Sequence, residues 1–485
     1  MRNKIRDLAR LLAISVGAIL VHGYHPYVED AEIYLPGVKK LLNPALYPYN
    51  QAFYASHAHL SFFPNIIAGS IRLTHIPFDW AILSWQFVCV FVLLYACWRL
   101  GNLVFRDRMA SWGGTALVAS LLTIPIAGTA LYIMDQYLTA RSMSTATVMM
   151  MVVSAVEKRY LRSGLWAVVT ALVHPLMVGF GVSYCVVLVL ERRDRRRNVS
   201  AATVALLFPL GLFPPATDAY RQVVQSRSYF FLLQWEWYEW LGIFAPLLIF
   251  WWYARIAKKQ NFPVLVAMCR ALIVYGAIFF VAGLILTIPS SMLPFAQLQP
   301  LRALHLEYIL LFVFTGGLLG KFVLKKHVWR WLLVFVPLCG GMFYASRELF
   351  PDSRHLELPN ANPRNVWVDA FLWVRNNTPT GAYFALNPGH MELPGEDQHG
   401  FRAIAERSML ADRVKDSGVV TMFPRLAETW MEQTNAQKNW KEFKQADLLR
   451  LKSVYGVNWV VLEKPGIPGL TCPYENARLL VCRIE

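Results

Sequence analysis

Between residues 8 and 345 the chain alternates eleven apolar segments with short polar joints, and this alternation constrains the fold more than any other feature. The segments are 8–24, 58–76, 79–99, 109–130, 134–156, 164–190, 199–214, 240–254, 262–288, 303–320 and 328–345. Most approach the ~20 residues a helix needs to cross a hydrocarbon core, although 199–214 and 240–254 are shorter. The expected fold is an α-helical polytopic membrane protein with about eleven transmembrane helices. Nine is the alternative, if 58–76 is re-entrant and 134–156 is not a full crossing. Only 16% of the residues are charged, against about 25% in soluble domains.

The net charge of +16 is unevenly placed. From Ser346 onward 17 Lys/Arg balance 17 Asp/Glu, so the whole excess belongs to residues 1–345. A nucleic-acid-binding protein would carry it on a soluble domain, and that class is excluded. The N-terminus and the joints 191–197, 255–259 and 321–330 carry +3, +3, +3 and +4. Eleven crossings put all four on the cytoplasmic side, as the positive-inside bias requires. The basic joints 99–108 and 157–162 then fall outside, against the bias. The first segment follows Arg2, Lys4, Arg6 and Arg10 and precedes no small-residue cleavage site, so it reads as an anchor.

These positions divide the chain into a transmembrane domain, 1–345, and an extracytoplasmic α/β domain, 346–485. Long outer loops occupy 25–57 and 215–239. The second holds Trp235, Trp237, Tyr238 and Trp240, and both read as helices lying in the membrane interface. In the C-terminal part, 365–376 and 448–455 have helical patterning, and 382–386, 457–462 and 479–484 read as strands. Cys472 and Cys482 lie in this domain, where an oxidising compartment permits a disulfide.

The richest candidate site follows the first span. Glu29, Asp30 and Glu32 fall within four positions among tyrosines and prolines. The plainer reading makes Asp30 the N-cap of a helix and leaves Glu29 and Glu32 solvated. The sharper one makes a carboxylate beside apolar groups a general base, with Tyr34 one turn further on. Basic residues at the outer ends of segments are candidate anion binders: Arg302 and His305, Arg221 and Arg227, and Lys39 and Lys40. Snorkelling to head groups is their alternative role. Arg302 is set apart by its apolar surroundings and by having no acidic neighbour before Glu307. His57 and His59 could join Asp30 around a divalent metal, although histidines two apart do not share a helix face. Asp135 and Arg141 can pair with each other, and His174-Pro175 reads as a kink.

Glu29-Asp30-Ala31-Glu32-Ile33-Tyr34, followed by Leu41-Leu42-Asn43-Pro44-Ala45-Leu46-Tyr47-Pro48, resembles the acidic first-loop motif of the GT-C superfamily. Those are integral-membrane glycosyltransferases that use polyprenyl-phosphate sugars. His57-Ala58-His59-Leu60 stands where many members have His-Pro-Pro-Leu. Trp373-Val374-Arg375-Asn376-Asn377-Thr378-Pro379 and Tyr455-Gly456-Val457-Asn458-Trp459 are similar to segments in the outer domains of bacterial members. The likeness is to bacterial relatives of protein O-mannosyltransferases and of lipid A aminoarabinose transferase. It implies a multi-pass enzyme of the bacterial inner membrane, N-terminus cytoplasmic and C-terminal domain periplasmic. A sugar would pass from a lipid-linked donor to an acceptor hydroxyl. Asp30 would be the base, ahead of Glu29 and then Glu32, and Arg302 would lead the groups stabilising the leaving phosphate. No cofactor is implied beyond the divalent-metal alternative. A transporter or flippase of lipid-linked saccharides, or an inactive scaffold of the same fold, are the competing readings.

Overall fold

The computed structural model describes residues 2–192, 217–288 and 290–485. Helices dominate it in chain order: α1 (Arg2–His22), α2 (Ala31–Leu42), α3 (Ala52–His59), α4 (Phe63–Thr74), α5 (Phe78–Phe105), α6 (Arg108–Ser120), α7 (Ala140–Val156), α8 (Tyr160–Val173), α9 (Pro175–Arg192), α10 (Asp218–Gln225), α11 (Trp237–Lys259), α12 (Pro263–Thr287), α13 (Leu304–Leu318) and α14 (Val328–Leu349). Among the described residues six helices are long and apolar enough to cross a membrane. They are α5, α9, α11, α12, α14 and the run Met292–Leu324 that contains α13. Two shorter apolar helices, α7 and α8, accompany them. The expected segment 199–214 lies outside the described residues.

Two expected segments resolve differently. Residues 58–76 do not form one span: α3 ends at His59 and α4 starts afresh at Phe63. α4 lies beside α2, where Arg72 donates to the Leu41 carbonyl. Residues 164–190 are not one kinked helix either. At His174 the backbone is extended (φ −151°, ψ 92°), and the chain reverses. α8 runs back along α7, with Thr147 and Thr170 hydroxyls 2.8 Å apart. α9 then returns, so that Arg192 reaches the Val156 carbonyl at 3.1 Å. Proline at the first position of α9 suits a helix start, because its missing N–H would be unsatisfied there in any case.

This path moves the two discordant basic joints. Arg108 pairs with Asp7 of α1, and Arg99 pairs with Glu157 beyond α7. Both joints therefore lie at the same end of the bundle as the N-terminus, not opposite it. α6 and α13 pack closely through glycines. A side chain on Gly113 or Gly316 would collide with the other helix's backbone, so only glycine permits the approach.

The C-terminal part adds α15 (Val366–Asn377), β1 (Tyr383–Ala385), α16 (Phe401–Ala405), β2 (Ser408–Met409), α17 (Asp416–Met422), α18 (Ala427–Ala436), α19 (Gln445–Tyr455), β3 (Trp459–Glu463), β4 (Thr471–Glu475) and β5 (Leu479–Arg483). The sheet order is β2-β1-β3-β5-β4, parallel on the β2-β1-β3 side and antiparallel across β3-β5-β4. Local sequence sets these elements. Asn365 caps α15 by accepting from Trp367 N at 2.8 Å, and Gly456 ends α19 at φ +79°. The disulfide Cys472–Cys482 ties β4 to β5.

Parts of the outer loops pack on protein, while Leu233, Trp237 and Tyr238 stay exposed. α2 is largely buried, and α10 docks its apolar face on α17 and α18, with Tyr220 Oη donating to the Thr421 carbonyl at 3.0 Å.

Candidate active site

The acidic stretch is locked between the two domains. Val28 bridges His399, and Glu29 N donates to the Gln398 carbonyl at 2.8 Å. Glu29 adopts φ +55°, a left-handed conformation that a side chain disfavours and that surrounding contacts must hold. Asp30 occupies the N-cap position of α2, but its carboxylate makes no capping hydrogen bond. It points to cations instead. Arg141 Nη1 lies 3.3 Å from Oδ2, and Lys415 Nζ lies 3.2 Å from Oδ1. The plainer reading of Asp30 as a cap therefore fails.

Each cation is fixed by its own partners. Arg141 opens α7, whose N-cap Thr139 accepts from Ser142 N at 3.1 Å. Its Nε and Nη2 hold Asp135 at 3.1 and 2.8 Å, so the pairing expected from sequence is present and extends to Asp30. Lys415 comes from the C-terminal domain just before α17 and also pairs with Glu29. Burial pulls the Lys415 ammonium down to about 7.

Asp30 faces a cavity of about 180 Å³ lined also by Tyr34, His57, Arg141, His174, Gln299, Arg302, Tyr229 and Thr421. Tyr34 stands one turn after Asp30, edge-on to His57 with ring centroids 5.4 Å apart. Burial lowers His57 to about 4, so its imidazole is neutral. Burial likewise raises the Tyr34 phenol to about 12. Arg302 sits in the 3₁₀ turn Pro300–Ala303, directly after Gln299.

Four buried polar atoms of this lining have no hydrogen-bond partner among the described residues: His57 Nδ1, His174 Nδ1, Gln299 Oε1 and Arg302 Nε. Arg302 also has no ion-pair partner among the described residues. Buried polar groups are nearly always satisfied, so four orphans around one cavity mark a place for a polar ligand. A buried guanidinium without a counter-ion favours an anion.

Of the residues singled out from sequence, Asp30, Tyr34, His57 and Arg302 meet here, and Glu29 stands beside them through Lys415. The others do not. Lys39 is buried against Glu406 at 2.8 Å and the Ala403 carbonyl at 2.6 Å, joining the two domains. Lys40 ties the Pro44 and Leu46 carbonyls at 2.7 and 2.6 Å, fixing the turn after α2. His59 and Arg221 are exposed. Arg227 holds the Val414 carbonyl and Ser417 Oγ, steadying α17. His305 is buried on the Ile133 carbonyl at 3.1 Å. With His59 turned to solvent, Asp30, His57 and His59 do not converge, and no group of three metal-ligating side chains does so among the described residues.

Glu32 is not solvated. It is fully buried and accepts from Arg402 N at 3.0 Å and Ala403 N at 2.8 Å. Arg402 itself grips Asp416 through both Nη atoms. Glu32 is a clamp between α2 and α16.

Lys415, Gln299, Tyr229 and Thr421 were missed. Arg141 was read only as a partner of Asp135, and His174 only as a kink. Gln299 had a visible signal, three residues before Arg302 in an apolar run. Lys415 had none, because nothing in a soluble-looking segment announces docking on a loop 385 residues earlier. No known family model matches the chain, and no curated protein matches it in sequence.

Proposed function

We propose that the chain is a GT-C-type membrane glycosyltransferase that moves a sugar from a polyprenyl-phosphate donor to a hydroxyl acceptor on the outer face of the membrane. The observation carrying this reading is the cavity itself. It joins one carboxylate, Asp30, with a partly buried Arg302 that has no ion-pair partner among the described residues, where helical bundle and C-terminal domain meet. The acceptor oxygen would bond to the anomeric carbon while Asp30 takes its proton. The bond from that carbon to the phosphate oxygen would break, its electron pair remaining on the lipid phosphate. Arg302 would meet the charge growing there, at the moment a fixed cation helps most. Arg141 and Lys415 would orient Asp30.

Charge and redox chemistry support a sidedness. The joints 99–108 and 157–162 lie at the N-terminal end of the bundle, away from the cavity, which favours that end as cytoplasmic. A disulfide in the C-terminal domain suits an oxidising compartment. Together they favour a bacterial inner-membrane protein with its N-terminus inside and residues 346–485 in the periplasm. About eleven crossings remains the proposed count.

Arg302→Ala tests the donor site. Binding of polyprenyl phosphate to the purified full chain should weaken at least tenfold while thermal stability is kept. Unchanged binding would remove Arg302 from the site.

A further inference from the structure

A second cavity, of about 210 Å³, shares no lining residue with the first. It opens between the start of α5 and the segment that links α14 to α15. Tyr24 lines it, is only 1% exposed, and has a hydroxyl with no hydrogen-bond partner among the described residues. Arg354, Arg364 and Arg375 line it as well.

The charges in the lining are unequally committed. Glu357 is held by His25 and His399, each at 3.1 Å, and Asp79 accepts from the Tyr27 hydroxyl. Arg375 pairs with Glu406 at 3.2 Å. Arg354 uses only Nε, on the Asn362 carbonyl at 3.1 Å. Arg364 has no ion-pair partner among the described residues. What remains uncommitted is the fork of Arg354, the whole of Arg364 and the Tyr24 hydroxyl, all hydrogen-bond donors. That set suits a phosphate, whose oxygens accept without donating.

The surroundings say what carries the phosphate. Asp79 is the second residue of α5, one of the six helices long and apolar enough to cross a membrane. Beside it Trp80 is 43% exposed, and Leu358 on the cavity wall is 46% exposed. A tryptophan at the end of a crossing helix belongs at head-group depth. We infer that this cavity binds the anionic phosphodiester head group of a membrane lipid. Arg354, Arg364 and Tyr24 take the phosphate, and the acyl chains leave past Leu358 and Trp80. The site goes beyond sugar transfer and does not depend on it.

The test measures calorimetric binding of dihexanoyl phosphatidylglycerol to the full chain in detergent. Inorganic phosphate is the competitor. The wild type should bind the lipid, and the double variant Arg354→Gln/Arg364→Gln should bind at least tenfold more weakly. Tyr24→Phe should weaken binding several-fold without lowering the melting temperature, because its hydroxyl bonds no other described residue. Arg302→Ala should leave this binding unchanged, which separates its failure from that of the donor site. Equal binding by both cavity variants would overturn the site. A melting temperature lowered by Tyr24→Phe would make the hydroxyl structural. Displacement by equimolar phosphate would make it a site for free anions and overturn the lipid assignment.

Discussion

Replacing Glu32 tests the joint that holds the C-terminal domain over the cavity. The carboxyl is 0% exposed and is the acceptor for the Arg402 and Ala403 N–H groups. Glu32→Ala strands both donors in a closed interior. Each stranded group costs about 1–3 kcal/mol, so the variant should lose about 2–6 kcal/mol. Glu32→Gln keeps one acceptor oxygen and should lose about 1–2 kcal/mol. Burial raises Glu32 from 4.5 to about 8, so near neutrality the neutral glutamine resembles the prevailing form. The folded state thus holds this proton more tightly than the unfolded chain. The resulting stability is fully present below pH 4.5 and is lost as pH rises through about 8. At about 1.4 kcal/mol per unit the loss is a few kcal/mol, and Glu32→Gln should flatten the profile over that window. Unfolding of the full chain in detergent, followed by tryptophan fluorescence at pH 5 and 8.5, measures both effects. An alanine variant within about 0.5 kcal/mol of wild type, or identical pH slopes for wild type and Glu32→Gln, would refute the clamp.

Lys415→Met removes the C-terminal domain's cation from Asp30 and should lower sugar transfer about 10–100-fold with little change in melting temperature, since Asp30 and Glu29 are partly solvated. Lys415→Arg should restore part of the rate; a methionine variant as active as wild type would leave Lys415 no role in positioning Asp30. Replacing Cys472 and Cys482 together by serine opens a ten-residue loop and should cost about 2–3 kcal/mol. Denaturant unfolding under non-reducing conditions reads this directly, and mass spectrometry finding two free thiols in the native protein would contradict it.

The sequence exposed what is written locally. Asn365, Gly456 and the apolar run 457–462 lead straight to α15, the end of α19 and β3, because caps and strand patterning act over a few residues. Arg302 was legible for a related reason: a lone cation in an apolar run has no local partner. Glu32, Lys39 and Arg227 were read as solvated or as anion binders because their actual partners lie far along the chain, in α16 and just before α17. The reversal at His174 was hidden as well. Apolar residues continue through it without a break, and hydropathy does not distinguish a bent helix from a hairpin of two. Asp30 was placed correctly at a helix start, but its choice of Arg141 and Lys415 over a capping bond is tertiary.

The most direct test of the central proposal is the lipid content of cells that lack this chain. A strain deleted for this chain should accumulate a polyprenyl-phosphate sugar. Wild-type protein supplied in trans should clear it, and Asp30→Asn, expressed to the same level and equally stable, should not. A deletion strain without the accumulated donor, or clearance by Asp30→Asn, would contradict the assignment of Asp30 as the base in sugar transfer.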